Sequence, residues 1–346
     1  MHIERFDPVA EPDKLRACYK MYIAGLPVDD PDGPPLSERH FAAWFTDGWI
    51  GQPRETALAT DSGGAWVGGY LLDLPSRRNA HIGYLYVFVD PAMRRRGHGT
   101  ALLQHGAMRA RANSRTLLSQ EVWRDSPGSA FAAAMGAHAG VVEIRRVLEL
   151  DGIPAGRLGE LRGRAQPAAQ GYSLLSWVGS TPEEDVLGVA TVIAALADAP
   201  RNPSEEAHQV DPQRVRDYER RSVEIGMQRY SVAARCDRTG ELAGLTQLGV
   251  TSEDPGWGFQ FITAVARQHR GHRLGLLVKV AMLELLATAE PDLRRIFTGN
   301  ADGNQHMIAI NAELGYHVLD EQQSWELDVS AVPAQTPAGA RTGDVT

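Results

Sequence analysis

The sequence predicts an α+β protein of two tandem domains, each a mostly antiparallel mixed sheet flanked by helices. Three observations predict it. The chain has 346 residues, more than twice the ~150 of an average domain. A basic, glycine-bearing turn occurs twice, as Val89-Asp90-Pro91-Ala92-Met93-Arg94-Arg95-Arg96-Gly97-His98-Gly99 and as Val265-Ala266-Arg267-Gln268-His269-Arg270-Gly271-His272-Arg273-Leu274-Gly275, with Arg94 and Arg270 lying 176 positions apart. Each turn follows an apolar run of strand character and precedes the same series, a helix, a strand and a short helix closing at Gly136 or Gly315, which lie 179 positions apart. Two landmarks displaced by nearly one interval indicate a duplicated unit of domain size, not a short solenoid repeat.

The elements follow from periodicity and punctuation. Pro12 to Ile23 and Ser37 to Trp49 read as helices around the Pro/Asp-rich loop Pro27 to Pro35. Arg54 to Ala59, Ala65 to Leu72 and His81 to Val89 read as strands, Thr100 to Ala112 as a helix, Leu117 to Trp123 as a strand, and Ser129 to Gly136 as a helix before a last strand ending near Leu150. The second copy opens with the strand Tyr172 to Val178 and with Thr181-Pro182-Glu183-Glu184, the pattern of a capping box with proline at the first helical position. Helices near Val186 to Ala197 and Pro212 to Ile225 precede strands near Arg229 to Ala234, Leu242 to Leu248 and Phe259 to Val265. The helix Leu276 to Thr288, the strand Ile296 to Asn300, the helix Asn304 to Gly315 and a strand before Val329 complete it. The expected division is therefore a domain over 1–152, a Gly/Pro/Ala/Arg-rich linker over 153–170, a second domain over 171–330 and a disordered tail over 331–346, where apolar bulk is almost absent.

With 43% hydrophobic and 23% charged residues the chain can bury a core. A formal charge of −8 opposes a nucleic-acid partner held by a diffuse basic surface. The skew of Arg over Lys, with Lys14, Lys20 and Lys279 the only lysines, is given no functional weight. Cys18 and Cys236 are too few for a disulfide framework and fit a reducing compartment. Met1 to Arg16 lacks an apolar core flanked by basic residues, and no apolar run reaches about 18 residues, so a cytoplasmic protein with no membrane partner is expected. No His/Cys/carboxylate cluster has metal spacing, and no nucleophile elbow occurs.

A strand running into Arg94-x-x-Gly97-x-Gly99 and then a helix suits a pyrophosphate. Glycines admit close backbone approach, and the unpaired amides at a helix start favour negative charge. A plain strand-to-helix turn has the same bare spacing, so context decides. A dinucleotide-binding reading needs an early βαβ unit, whereas several antiparallel-type strands come first here, and no Gly-Lys-Ser/Thr occurs.

At these residues the sequence resembles the GCN5-related N-acetyltransferases (GNAT), whose acyl-CoA loop reads Arg/Gln-x-x-Gly-x-Gly/Ala, and in combination with the duplication it resembles their two-domain actinobacterial members. The resemblance implies acetyl-CoA, or another acyl-CoA, held with its pyrophosphate on the loop Arg94, Arg95, Arg96, Gly97, His98, Gly99 and Thr100 and its pantetheine along the splayed edge Val87, Phe88, Val89. In the second copy it points to Thr263, Ala264 and Val265 for the edge and to Arg270, Gly271, His272, Arg273, Leu274 and Gly275 for the loop. Arg273 stands at the middle glycine, where a Cβ narrows the backbone approach while a guanidinium could grip phosphate. Asn304 matches a family asparagine that bonds the pantetheine arm, although it could equally cap the helix beginning there.

The family's usual acid, a tyrosine four residues before the terminal glycine, is replaced by Ala132 and Asn311, neither of which can protonate a thiolate. Glu121 and His81 are the titratable candidates for the base that deprotonates an ammonium acceptor, against the plainer readings of a solvated glutamate and a structural histidine. The resulting expectation is direct transfer of an acetyl group to the amine of a small-molecule acceptor. The rival is an acyl-CoA-binding protein with one or both domains silent.

Overall fold

The computed structural model describes residues 1–34, 36–46, 52–198, 200–206 and 210–333. The chain opens with β1 (His2–Phe6), a strand absent from the expected set because only its last residue is buried. α1 (Pro12–Asp29) stays helical through Pro27, so the expected loop begins at Asp30. α2 covers Glu38–Thr46, and the rest of that expected helix, to Trp49, lies outside the described residues. β2 (Arg54–Thr60), β3 (Trp66–Asp73), β4 (Ile82–Val89), α3 (His98–Ala112), β5 (Leu117–Trp123), α4 (Pro127–Ala134) and β6 (His138–Glu149) complete the first copy.

The second copy comprises α5 (Arg157–Ala165), β7 (Tyr172–Val178), α6 (Val186–Ala194), α7 (Pro212–Glu224), β8 (Met227–Cys236), β9 (Leu242–Thr251), β10 (Asp254–Val265), α8 (Leu274–Ala289), β11 (Arg295–Ala301), α9 (Gln305–Leu314) and β12 (His317–Asp328). The predicted capping box does not form. Pro182 ends an extended segment, the Thr181 hydroxyl is buried without a partner, and its N–H donates to Glu219 Oε1 at 2.8 Å.

The chain divides into two compact units that are not the contiguous stretches 1–152 and 171–330. The first comprises Met1–Pro31, Trp44–Gly140 and the chain from Gln323 on, and the second Asp32–Ala43 and Val141–Gln322. The first unit's strands run in the order β1-β2-β3-β4-β5-β12 and the second's in the order β6-β11-β10-β9-β8-β7. β6, from the first copy, thus lies mostly in the second unit, and the latter half of β12, from Gln323, lies in the first. β6 runs antiparallel to β11, from Glu149 opposite Arg295 to Glu143 opposite Ala301. Alternation along a strand states which face is apolar, but it does not state which sheet edge the strand joins.

Residues 153–170 form no linker. α5 packs on α8 with Leu161, Ala165 and Ala169 fully buried in the second unit's core. The apolar positions Leu158, Leu161 and Ala165 make a helical stripe that the Gly, Pro and Arg content of this segment obscures. The start of the supposed tail is also packed. Val332 is buried, and its carbonyl accepts from Arg111 Nη2 at 2.5 Å, while residues 334–346 lie outside the described residues.

The helices following the two basic turns bury the same sheet face. α3 places Leu102, Ala107 and Ala110 against Tyr70, Leu72 and Leu85. α8, buried at ten of its residues, does so against Tyr230, Val232 and Leu248. In the second unit α6 and α7 cover the opposite face through Val189, Ile193 and Val215 on Ala233 and Leu245. Among the described residues no helix is long and apolar enough to cross a membrane.

Candidate active site

β4 pairs with β3 as far as Val89, but it is parallel to β5 only over Ile82–Tyr84. From Leu85 onward the two strands part, which opens the backbone edge of Val87, Phe88 and Val89. Side chains alternate along this edge. Val87 and Val89 join the core beneath α3, while Tyr86 and Phe88 face Trp44 and Phe45, with ring centroids 5.0 and 6.2 Å apart.

The turn after β4 is built by its own side chains. Asp90 Oδ1 accepts from Ala92 N at 2.9 Å. Arg94 donates to both carboxylate oxygens of Asp29 on α1, at 2.9 and 2.6 Å, and through Nε to the Val89 carbonyl at 3.2 Å. Its guanidinium therefore ties the end of β4 to α1, and only its backbone faces the loop. Asp29→Ala is expected to lower stability by about 1–2 kcal/mol, discounted for partial exposure of the pair, with a falling Tm as the measurement.

Arg95 and Gly97 both adopt left-handed backbone, at φ 63° and 81°. Gly97 occupies the N-cap of α3 and supplies no side-chain cap, so the first-turn amides of His98, Gly99 and Thr100 point out of the helix end uncapped. A Cβ at Gly97 would meet nothing within 4 Å. The space over these amides is open, and the residues present fit a pyrophosphate. Arg95 and Arg96 are exposed beside it, whereas His98 Nδ1 lies 3.2 Å from Met1 Sδ.

The second unit repeats this geometry. β10 is parallel to β11 over Trp257–Phe259, then diverges, and a bulge between Gln260 and Ile262 absorbs an extra residue before the turn. Arg270 Nε reaches the Val265 carbonyl at 3.4 Å, as Arg94 reaches Val89. Gly271 and Arg273 are the left-handed residues, at φ 86° and 53°. Glycine thus takes the first left-handed position here and the second in the first unit. Arg273, expected to narrow the approach, retains the conformation and has an exposed side chain.

Several second-copy candidates make structural contacts through their side chains. Leu274 is buried in the core, Thr263 Oγ1 bonds Thr246 Oγ1 at 2.9 Å, and His272 Nδ1 lies 3.0 Å from the Ala168 carbonyl. Asn304 is the N-cap of α9, its Oδ1 accepting from Met307 N at 3.3 Å. Its first-unit counterpart is Ser126, the capping residue of α4. Asn304→Ala should cost about 1 kcal/mol, read as a lower Tm.

His81 stands at the closed end of the first strand pair, where its carbonyl accepts from Thr116 N, about 13 Å of strand before Leu85. The structure does not bring it to the opening. Glu121 lies two residues beyond Ser119, the last β5 residue paired with β4, on the open part of the strand. Burial, reinforced by the Asp73 and Glu121 carboxylates, pushes the Tyr86 phenol well above its usual range. Tyr86 therefore holds a proton on the Trp44 side of β4, far in sequence from the position four residues before Gly136.

Asn311 is fully buried within a polar chain. Lys279 Nζ donates to Asn311 Oδ1 at 2.7 Å, and Asn311 Nδ2 donates to Asn300 Oδ1 at 2.7 Å, at the diverging end of β11. The Lys279 ammonium also lies 4.6 Å from the Tyr316 ring centroid. Burial pushes its pKa down to about 7. The first unit has Leu103 at the matching sixth position of α3 and Ala132 for Asn311, so the fold does not require these polar groups. Among the described residues no group of three or more His, Cys, Asp or Glu could hold a metal.

Residues 15–136 match the model of the acetyltransferase (GNAT) family. No curated protein matches the chain by sequence. Among solved structures the chain is similar to a tandem GNAT protein from the clavulanic acid biosynthesis pathway, with 29% identity, a TM-score of 0.74, and coverage of 95% of this chain and 98% of that one. It shares its fold with a GCN5-related N-acetyltransferase from Sphaerobacter thermophilus, at 16% identity and a TM-score of 0.63, with 95% of each chain covered. The diverging parallel pair and the doubly left-handed loop recur in both units, residues 15–136 carry the acetyltransferase (GNAT) family's domain, and the chain as a whole is similar to a tandem GNAT protein.

Proposed function

We propose that the protein is an acetyl-CoA-dependent N-acetyltransferase acting on the amine of a small-molecule acceptor, with the first unit's loop as the firmer donor site. The observation that carries this reading is the open, uncapped amide cluster at Gly97–Thr100, placed at the mouth of the diverging β4–β5 pair. Bound there, acetyl-CoA would supply an activated acyl group as a thioester. The amides of Arg95–Thr100 would hold its pyrophosphate, with Arg95 and Arg96 adding charge, and the edge of Val87–Val89 would orient the arm. In the second unit Gly271–Gly275 and the Nδ2 of Asn304 would act likewise. Glu121, on the open strand, would accept the acceptor's proton, and Tyr86 would hold the proton available to the departing sulfur. The similar protein of clavulanic acid biosynthesis supports an acceptor from small-molecule metabolism over a protein or nucleic acid. The buried free thiols of Cys18 and Cys236 support a reducing, cytoplasmic location.

The second reading, acyl-CoA binding without turnover, is favoured by Ala132 and by the enclosure of Asn311, which leave the family's acid position empty of acid. Thiol release from acetyl-CoA over a library of primary amines separates the two. Amine-dependent release supports transfer, and stoichiometric binding with no release from any amine supports the silent reading.

A further inference from the structure

The second unit lacks a carboxylate where the first carries Glu121. Two residues past the last parallel pair, β5 has Glu121 and β11 has Gly299. The vacancy is filled from another strand. β6 sets Arg145 opposite Gly299 and Glu143 opposite Ala301, so the side chains of Glu143 and Arg145 share the face of Phe297, Gly299 and Ala301. Arg145 lies over the Phe297 ring at 5.3 Å, and the Glu143 carboxyl lies over Gly299. A Cβ at Gly299 would collide with Glu143 Oε1 and stand 2.7 Å from its Cδ. Absence of a side chain at 299 is therefore what admits the Glu143 carboxyl.

This face is turned away from the cofactor helices. Its alternate residues Ile296 and Asn300 point the other way, into the α8 core and onto Asn311 of α9. Glu121 bears the same relation to α3, since its alternate Leu118 packs beneath that helix. Glu143 is half-buried, and among the described residues its carboxylate makes no hydrogen bond or ion pair, while its backbone stays in the ladder with Ala301. Burial raises its pKa above the usual carboxylate range. Arg145 opposes the shift but is itself paired with Asp320 on β12, and the β11 residues on the same face, Gly299 and Ala301, are not ionisable.

We propose that Glu143 is the general base of the second unit, receiving a proton from the ammonium group of an amine acceptor bound on the Phe297–Gly299 face of β11. The neutral nitrogen then forms its bond to the thioester carbonyl carbon, and the carbon–sulfur bond breaks. The nitrogen's surplus proton leaves with the thiol, and Glu143 returns its own to water. The assignment rests on the acyl-transfer reading and adds the residue that serves the second site.

The test uses full-length protein in which Gly97→Trp disables the first loop, with thiol release from acetyl-CoA followed against primary amines across pH. Glu143→Gln is expected to lower kcat about 100-fold or more and remove the acidic limb of the pH profile, with the KM for acetyl-CoA unchanged. Gly299→Ala, which displaces the carboxyl, should lower kcat in the same direction, and thermal melts confirm folding of each variant. A Glu143→Gln protein retaining the parent kcat and pH limb overturns the assignment. So does a Gly97→Trp protein that still binds acetyl-CoA but releases no thiol, when the wild type does. Absence of release from the wild type with every amine would instead sink the transfer reading, and Glu143's role with it.

Discussion

Gly97→Trp is expected to weaken acetyl-CoA binding at the first loop by about 100-fold or more while leaving the protein folded. Gly97 sits at φ 81°, and an L side chain there costs about 1–2 kcal/mol. No atom lies within 4 Å of its Cβ position, so the indole meets no packed neighbour. It enters the space over the amides of His98 to Thr100 instead. Losing two charge-assisted hydrogen bonds of about 1.5–3 kcal/mol each accounts for the expected loss. Calorimetry on a protein also carrying Gly271→Trp in the second loop isolates the site. An unchanged Kd there would remove the pyrophosphate from this loop.

The second large effect concerns Lys279 and the pH dependence of stability. The group has a pKa of about 7 in the folded protein against 10.5 ordinarily. Between these values the unfolded chain binds the proton and the folded chain does not, so stability rises with pH across that window. The stability present above the unfolded pKa is lost as pH falls toward the folded one, by about 1.4 kcal/mol per pH unit. Lys279→Met should flatten this slope. At neutral pH it removes the cost of burying a charge, offset by about 1–3 kcal/mol for leaving Asn311 Oδ1 without its donor. Denaturant unfolding of both proteins at pH 7, 8.5 and 10 measures the difference. Parallel slopes would show that Lys279 has no depressed titration.

The α+β class, the duplication, both turns and the order of strand, turn, helix, strand and helix around them were legible in the chain before folding. These depend on neighbours in the chain: apolar periodicity, glycine at left-handed positions and caps act over a few residues. The first turn's role as a candidate anion site was legible in Arg94, Gly97 and Gly99 for the same reason, although the pairing of the Arg94 side chain with Asp29 was not. Even the departure at Arg273 misled only slightly, because the backbone preserves two left-handed residues and exchanges which one is glycine.

Tertiary structure decided the rest, where residues distant in sequence meet. The edges beside β5 and β11 are alternatives for a terminal strand with the same alternation, and β6 and β12 each take the one belonging to the other copy. That choice brings Glu143 to Gly299. Lys279, one of three lysines and without distinction in its helix, becomes a buried donor only because Asn311, on a helix far along the chain, is folded against it. Residues 153–170 gained a core role because α8 offers an apolar surface to Leu161 and Ala165, and propensity alone carries no record of such a partner.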